Sequence, residues 1–261
     1  MTESTSPQSE SQYSLAKILT IWVIAAIPMP ILTFVIGPAL APIVGMKTEL
    51  VRWMAIIIGL IWLFVISMFV LRRELGTLRW SVIRKRMWYQ MPRDPKTGEP
   101  KAKLLWWALP ATAVAFIASI TPLGSIFEKA SLTVLPFLRP WAMGGEDLLS
   151  PEFAGQWWLL GVLLVSNIFN YFLGEEFLFR GVLLPKMRGV FGRWDWFMNV
   201  ILFAFWHWHQ PWGIIATIFS FLFAGWLSRR YQCNWIFVIA HGTIGVAVFV
   251  LLLLIVAGLG P

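Results

Sequence analysis

Apolar runs of membrane-spanning length dominate this chain of 261 residues, at roughly 18–44, 53–71, 104–121, 157–184, 194–209, 211–228 and 234–257. A spanning helix takes about 17–25 residues. In hydrocarbon every backbone N–H and C=O must be bonded within the protein, which leaves helices or closed barrels. Runs this long read as helices. Composition agrees: 58% of residues are hydrophobic and 13% charged, against about 25% charged in a soluble domain. The expected fold is an all-α, polytopic integral membrane bundle of about seven to eight transmembrane helices. The eighth would be the apolar part of the 122–156 connector, Leu132 to Leu138, read as an interfacial or re-entrant piece.

Prolines mark the irregular places. Pro28, Pro30, Pro38 and Pro42 predict a kink or an irregular exit in the first run, because proline removes a helix donor. The fifth run is short, and Pro211 predicts a tight hairpin into the sixth. Trp53, Trp106, Trp107, Trp157, Trp158, Trp194, Trp212 and Trp235 fall at run ends, where an amphipathic ring suits the headgroup layer. No internal repeat is visible. The expected organisation is a polar tail over 1–17, with Met1 to Tyr13 disordered, an N-terminal transmembrane region over 18–150, and a membrane core over 155–255.

Charge sets the expected orientation. The net charge of +8 is segregated rather than spread, so it points to topology and away from nucleic acid. Residues 72–103 hold ten Lys/Arg against three acids, the mark of a cytoplasmic loop, with weaker contact to anionic headgroups. Alternation from that loop puts sixteen Lys/Arg inside and four outside, with Arg180 left in the membrane. The expected location is a bacterial cell membrane, multi-pass, with the N-terminus in the cytoplasm and membrane lipid as partner. Cys233 is alone, which excludes an intramolecular disulfide and a cysteine metal cluster. No cleavable leader is recognisable, so the first run reads as a retained anchor.

The fourth run contains Glu175, Glu176 and Arg180. A charge at membrane depth costs about 2.5–3.5 kcal/mol even on the lenient insertion scale, so three call for a reason. Glu176 and Arg180 are spaced i, i+4 in the favourable acid-first order and predict an intrahelical ion pair. Neighbouring residues differ by about 100° on an α-helix, so Glu175 faces elsewhere, without a same-helix cation, as a candidate general base. The chain's three histidines, His207, His209 and His241, lie in or beside later apolar runs. By helical rise, Glu175, His207 and His241 stand about 15, 20 and 10 Å above the cytoplasmic interface. A wet cavity opening to the cytoplasm would accommodate all three. On the fifth run Asn199, Phe203 and His207 share a face, whereas His209, about 200° from His207, reads as a surface histidine. Asn167, Asn170 and Gly174 lead along one face to the glutamates, lining the cavity or bonding neighbouring helices.

These residues resemble a family pattern. Glu175 to Gly181 reads EExxxRG, Phe203 to His207 reads FxxxH, and His241 falls where a third motif, HxxxN, would sit. Together and in this order they are similar to the CPBP (Abi) family of intramembrane proteases, which includes CAAX prenyl endopeptidases and bacteriocin-processing or immunity proteins. The resemblance covers about residues 155–255. It implies that Glu175 and His207 activate water, that His241 binds it or stabilises the oxyanion, and that Glu176 and Arg180 support the site, with Asn199 beside them. The family is often described as metalloproteases. Glu175, His207 and His241 are the kind of set that holds Zn2+ with an open position, while a metal-free glutamate mechanism is equally compatible. The chain departs from the pattern at Gly245, which stands in the place of the third-motif Asn. Asn199 or Asn170 would then have to supply the missing oxyanion donor.

The implied activity is an intramembrane endopeptidase acting on a membrane-associated peptide or protein. The Gly245 departure favours an alternative, a non-catalytic immunity or peptide-binding protein on the same scaffold. A proton-coupled transporter using Glu175 is a third reading.

Overall fold

The computed structural model describes residues 11–120, 122–142 and 150–260. Among these the regular structure is helical, apart from one isolated bridge between Arg93 and Pro100 in the basic loop. The helices used below are α1 (Leu15–Val44), α2 (Thr48–Leu75), α3 (Trp80–Arg86), α4 (Ala108–Ile120), α5 (Pro122–Val134), α6 (Trp158–Lys186), α7 (Asp195–Trp206), α8 (Pro211–Tyr231) and α9 (Trp235–Val256).

Five of them, α1, α2, α6, α8 and α9, are long and apolar enough to cross a membrane. This is fewer than the seven to eight expected. The 104–121 run folds as a shorter apolar helix, Ala102–Ala118. The 194–209 run gives only the 12-residue α7, about 18 Å long at the α-helical rise, against a hydrocarbon core of about 30 Å. The connector holds α5 and a 3-10 turn, Pro136–Trp141, so the expected piece Leu132 to Leu138 falls across the end of α5 and the start of that turn; positions 143–149 of the connector, and 121 of the run before it, lie outside the described residues. Many large side chains face outward, among them Ile43, Phe69 and Val246, as a lipid-facing surface requires.

Proline acts as expected in α1, but gently. The helix continues through Pro28 and Pro30 and passes into a π-helical stretch, Leu32–Ile36. It stops at Gly45, whose φ of 64° gives a left-handed cap.

Helix α6 is the least regular and the most informative. It runs as α-helix over Trp158–Ile168, then as π-helix over Phe169–Leu173 and Glu176–Leu183. The Gly174 amide donates to the Phe169 carbonyl at 2.7 Å, closing the wider π turn. A Cβ at Gly174 would lie 2.7 Å from the Leu60 carbonyl, so glycine is what lets α2 cross here at backbone distance. π-helical segments are rare and concentrate at functional sites.

Packing joins both halves of the chain. The π segments of α6 lie against α2, while α4 packs on α8 and α9. One core cluster contains Leu60 and Leu63 from α2 alongside Phe177, Phe203 and Phe237. At the basic-loop end a polar network ties these parts together. Arg86, which sequence assigns only to the topogenic loop, is buried and bonds Glu74 through Nε (2.6 Å) and Nη2 (3.0 Å). It also donates to the Gly181 and Val182 carbonyls at 3.1 and 3.2 Å. Tyr13 is buried, its amide donating to the Lys186 carbonyl and its hydroxyl to Glu74. Burial pushes the Tyr13 hydroxyl well above its ordinary pKa, so it stays a donor. The tail expected to be disordered is thus anchored at Tyr13; residues 1–10 of that stretch lie outside the described residues.

The run-end tryptophans divide. Trp106, Trp107, Trp157, Trp158 and Trp194 are exposed as interfacial anchors should be, whereas Trp212 is buried and Trp235 stacks on Phe172. Removing one partner of a buried ion pair leaves an uncompensated charge and costs about 3–5 kcal/mol. Arg86→Ala is therefore expected to lower stability by about that amount, read by denaturant or thermal unfolding of the purified protein in detergent. Lys103→Ala, on the same loop, should leave it unchanged.

Candidate functional site

The site forms where the π-helical part of α6 meets the end of α7 and the middle of α9. Glu175 and Glu176 are both buried, as are Arg180 and His241. Glu176 is the centre of one group. Its Oε1 accepts from His241 Nδ1 at 2.9 Å and its Oε2 lies 3.6 Å from Arg180 Nε, the i, i+4 pair expected from sequence. Arg180 Nη1 donates to Asn199 Oδ1 at 2.7 Å, and its guanidinium lies over the rings of Phe237 and Phe203 at 3.8 and 4.4 Å. Asn199 in turn donates to the Phe179 carbonyl at 2.8 Å. Both its amide atoms are engaged, so Asn199 supports Arg180 and is not free to serve as an oxyanion donor.

Glu175 is the centre of the other. His207 Nε2 lies 3.7 Å from its Oε1. Asn170, in the amide orientation that satisfies both groups, donates to Oε1 at 2.6 Å and Oε2 at 3.3 Å. His207 Nδ1 donates to the Phe203 carbonyl at 2.9 Å, which leaves the Nε2 lone pair facing the carboxylate when the ring is neutral. Phe203 stands between the two imidazoles, with ring centroids 4.9 Å from His207 and 5.9 Å from His241.

His209 departs from expectation. It is buried and its ring stacks on that of His207 at 5.7 Å and 22°. The α-helical angle between the two does not apply, because α7 ends at Trp206 and His207 is already its cap. Burial holds His209 far below the ordinary histidine pKa, so it stays neutral.

A cavity of about 270 Å³ reaches Glu175, His207 and His209. Its apolar wall includes Leu50 and Ile56 from the first half of α2, Leu159 and Leu163 from the first half of α6, and Val248 and Leu252 near the end of α9. These positions all lie toward the ends of the helices remote from the basic loop. The expected opening toward that loop is therefore corrected. On the loop side Tyr89 packs against Phe172, Phe177 and Trp235 at 5.6, 5.4 and 5.1 Å, and the Arg86–Glu74 network lies beyond.

Donor atoms that come within 4.8 Å of one another belong to Glu175, Glu176 and His241. That spacing suits a small cation, but it is a different triple from the Glu175, His207 and His241 expected as ligands. In this arrangement the Nδ1 proton of His241 and the charge of Arg180 already compensate Glu176. Asn167, read from sequence as lining or glue, donates to the Gly245 carbonyl at 3.1 Å and also borders the cavity.

Gly245 has a structural account. A Cβ there would overlap the Tyr171 ring, with Cζ 2.9 Å away. That ring also meets His241 edge-on, with centroids 4.6 Å apart. Tyr171 lines the cavity together with Asn170 and Glu175. Sequence reasoning missed it, although Tyr171 stands four residues after Asn167, the spacing of one helix face; the loss of Asn at 245 was the other signal that something else fills the space. Overpacking of this kind costs about 1–3 kcal/mol. Gly245→Asn alone is expected to destabilise by that amount, and Tyr171→Ala in the same chain to relieve it, both read by thermal unfolding.

Residues 156–247 match the family model described as type II CAAX prenyl endopeptidase, Rce1-like. No curated protein and no solved structure matches the chain. The match spans α6 to α9 and includes Glu175, Glu176, Arg180, His207 and His241. Over this segment, about a third of its length, the chain is similar to the type II CAAX prenyl endopeptidases.

Proposed function

We propose that the protein is an intramembrane endopeptidase that hydrolyses a peptide bond of a membrane-associated peptide or protein, with water activated by Glu175 and His207. The observation that carries this reading is the 3.7 Å gap between Glu175 Oε1 and His207 Nε2 at the head of the cavity. The gap is too long for a direct hydrogen bond and suits one water bonded to both.

The chemistry follows from the residue types. Glu175 takes a proton from the water as its oxygen adds to the scissile carbonyl carbon, while His207 Nε2 accepts the second hydrogen bond and fixes the lone pair's direction. The carbonyl oxygen becomes an oxyanion and needs a donor. The hydroxyl of Tyr171, whose ring fills the space beside Gly245 and lines the cavity, is the proposed donor. Collapse of the intermediate breaks the C–N bond, and the proton held on Glu175 passes to the leaving amine. Glu176, Arg180 and Asn199 hold His241 and the π-helical turn in place without touching the reacting atoms. The leucine-rich wall suits an apolar segment beside the scissile bond. A cation between Glu175, Glu176 and His241 would polarise the carbonyl instead, and chelation separates the two routes.

Purified full-length protein is expected to cleave members of a peptide library read by mass spectrometry. Glu175→Gln and His207→Ala should each abolish turnover with the fold intact by circular dichroism. Unchanged turnover in both variants removes the peptidase reading built on Glu175 and His207; no cleavage by the parent protein leaves the non-catalytic alternative. Tyr171→Phe should lower kcat by about 10²-fold, as loss of one oxyanion donor does, with KM little changed. Activity that survives chelator treatment supports the metal-free route; activity lost to chelator and restored by Zn2+ assigns the metal route.

A further inference from the structure

A second cavity, of about 320 Å³, lies on the basic-loop face between the connector after α3, the turn after α6 and the end of α8. Lys85, Arg93, Arg188 and Arg229 line it, with the amides of Gln90 and Gln232 between them, and no acid is among its lining residues. Only Arg229 is neutralised: its Nε bonds Asp195 Oδ2 at 2.6 Å, and its guanidinium lies 5.6 Å from the Trp88 ring. Arg93 is held by backbone contacts, its amide donating to the Tyr231 carbonyl at 2.8 Å and its Nη1 to the Gly98 carbonyl at 2.9 Å. Among the described residues neither Lys85 nor Arg188 meets an acid. Three cations thus converge on one concave surface without compensation.

The backbone supplies an independent observation. Trp88 (φ 57°) and Gln232 (φ 47°) are the non-glycine residues with positive φ among those described, and both line this cavity. That conformation is sparsely populated for residues with a Cβ and tends to gather at ligand clamps. The Trp88 carbonyl is fixed by the Asn234 amide at 3.0 Å, and the Gln232 carbonyl by Gln90 Nε2 at 3.5 Å.

We propose that this cavity binds a phosphate group, carried by the headgroup of an anionic phospholipid in the leaflet that faces the basic loop. Guanidinium forks match phosphate oxygens in pairs. The position, just past the ends of α6 and α8, is headgroup level for a chain spanning the bilayer. A bound phosphate would bridge Lys85 and Arg93 to Arg188 and Arg229, strapping the basic loop to the segment that carries the glutamates. The inference is independent of the peptidase reading.

The full-length protein in phosphatidylcholine nanodiscs, with and without phosphatidylglycerol, supplies the test, with retained lipid counted by native mass spectrometry after release. Phosphatidylglycerol should be retained in preference and should raise the unfolding temperature. In K85Q/R188Q the preference should fall by about five-fold for each cation removed. Lys96→Gln, a loop cation outside the cavity, should retain it fully; an equal loss there reduces the effect to general loop charge and overturns the site. Inorganic phosphate that reproduces the temperature shift and erases the lipid preference assigns the same chemistry to a soluble source. Equal retention by the parent protein and K85Q/R188Q, with no response to phosphate, overturns the proposal. Glu175→Gln should leave lipid retention unchanged, so the two readings fail separately.

Discussion

A carboxylate inside a bilayer-spanning helix is tolerable only when its charge is met at close range, and Glu176 is met twice. His241 from α9 and Arg180 from the same π-helical turn flank its two oxygens. Three separate segments are thereby brought to one point, because Arg180 also reaches Asn199 on α7. Isolated charges in such a place carry a penalty of several kcal/mol each. The penalty is reduced only while α6, α7 and α9 stay in register. This coupling holds Glu175, one residue away, at the head of a cavity opposite His207, and gives the neighbouring carboxylates separate partners.

The wider turn of the π-helix explains why this is possible without distorting α9. An α-helix would place the donors of Glu175 and Glu176 on diverging faces, yet the observed donor atoms of both lie within 4.8 Å of His241. The cost is a run of backbone groups whose bonding changes register. Part of that demand is met from outside, by Arg86 on the Gly181 and Val182 carbonyls and by Asn234 Nδ2 on the Arg180 carbonyl at 2.7 Å. Gly174 performs the complementary task on the other side, where the α2 backbone passes.

Helical class and membrane character were legible because hydropathy and run length are strong constraints in lipid. The motif residues were legible because charged and imidazole groups are conspicuous in apolar sequence. What was hidden depends on local geometry. An α-helical wheel misplaced His209, since the helix ends one residue before His207. Counting charges assigned Arg86 to topology, although a guanidinium that finds Glu74 and two free carbonyls prefers burial. The missing Asn at 245 read as a loss, when the aromatic ring of Tyr171 already occupied its volume. The direction of the cavity was misjudged because the bulk of the Tyr89 cluster on the loop side cannot be read from spacing.

The clamp formed by Tyr13, Glu74 and Arg86 on the turns at 181–186 has an architectural consequence. Its members all precede the portion of the chain that carries the family likeness. An excised fragment of that portion would lose the donors to the Gly181 and Val182 carbonyls, at the end of the wide helical turn. The first hundred residues are therefore a scaffold built into the site's foundations, and evolutionary exchange of one half between relatives would have to carry matching anchor points along with it.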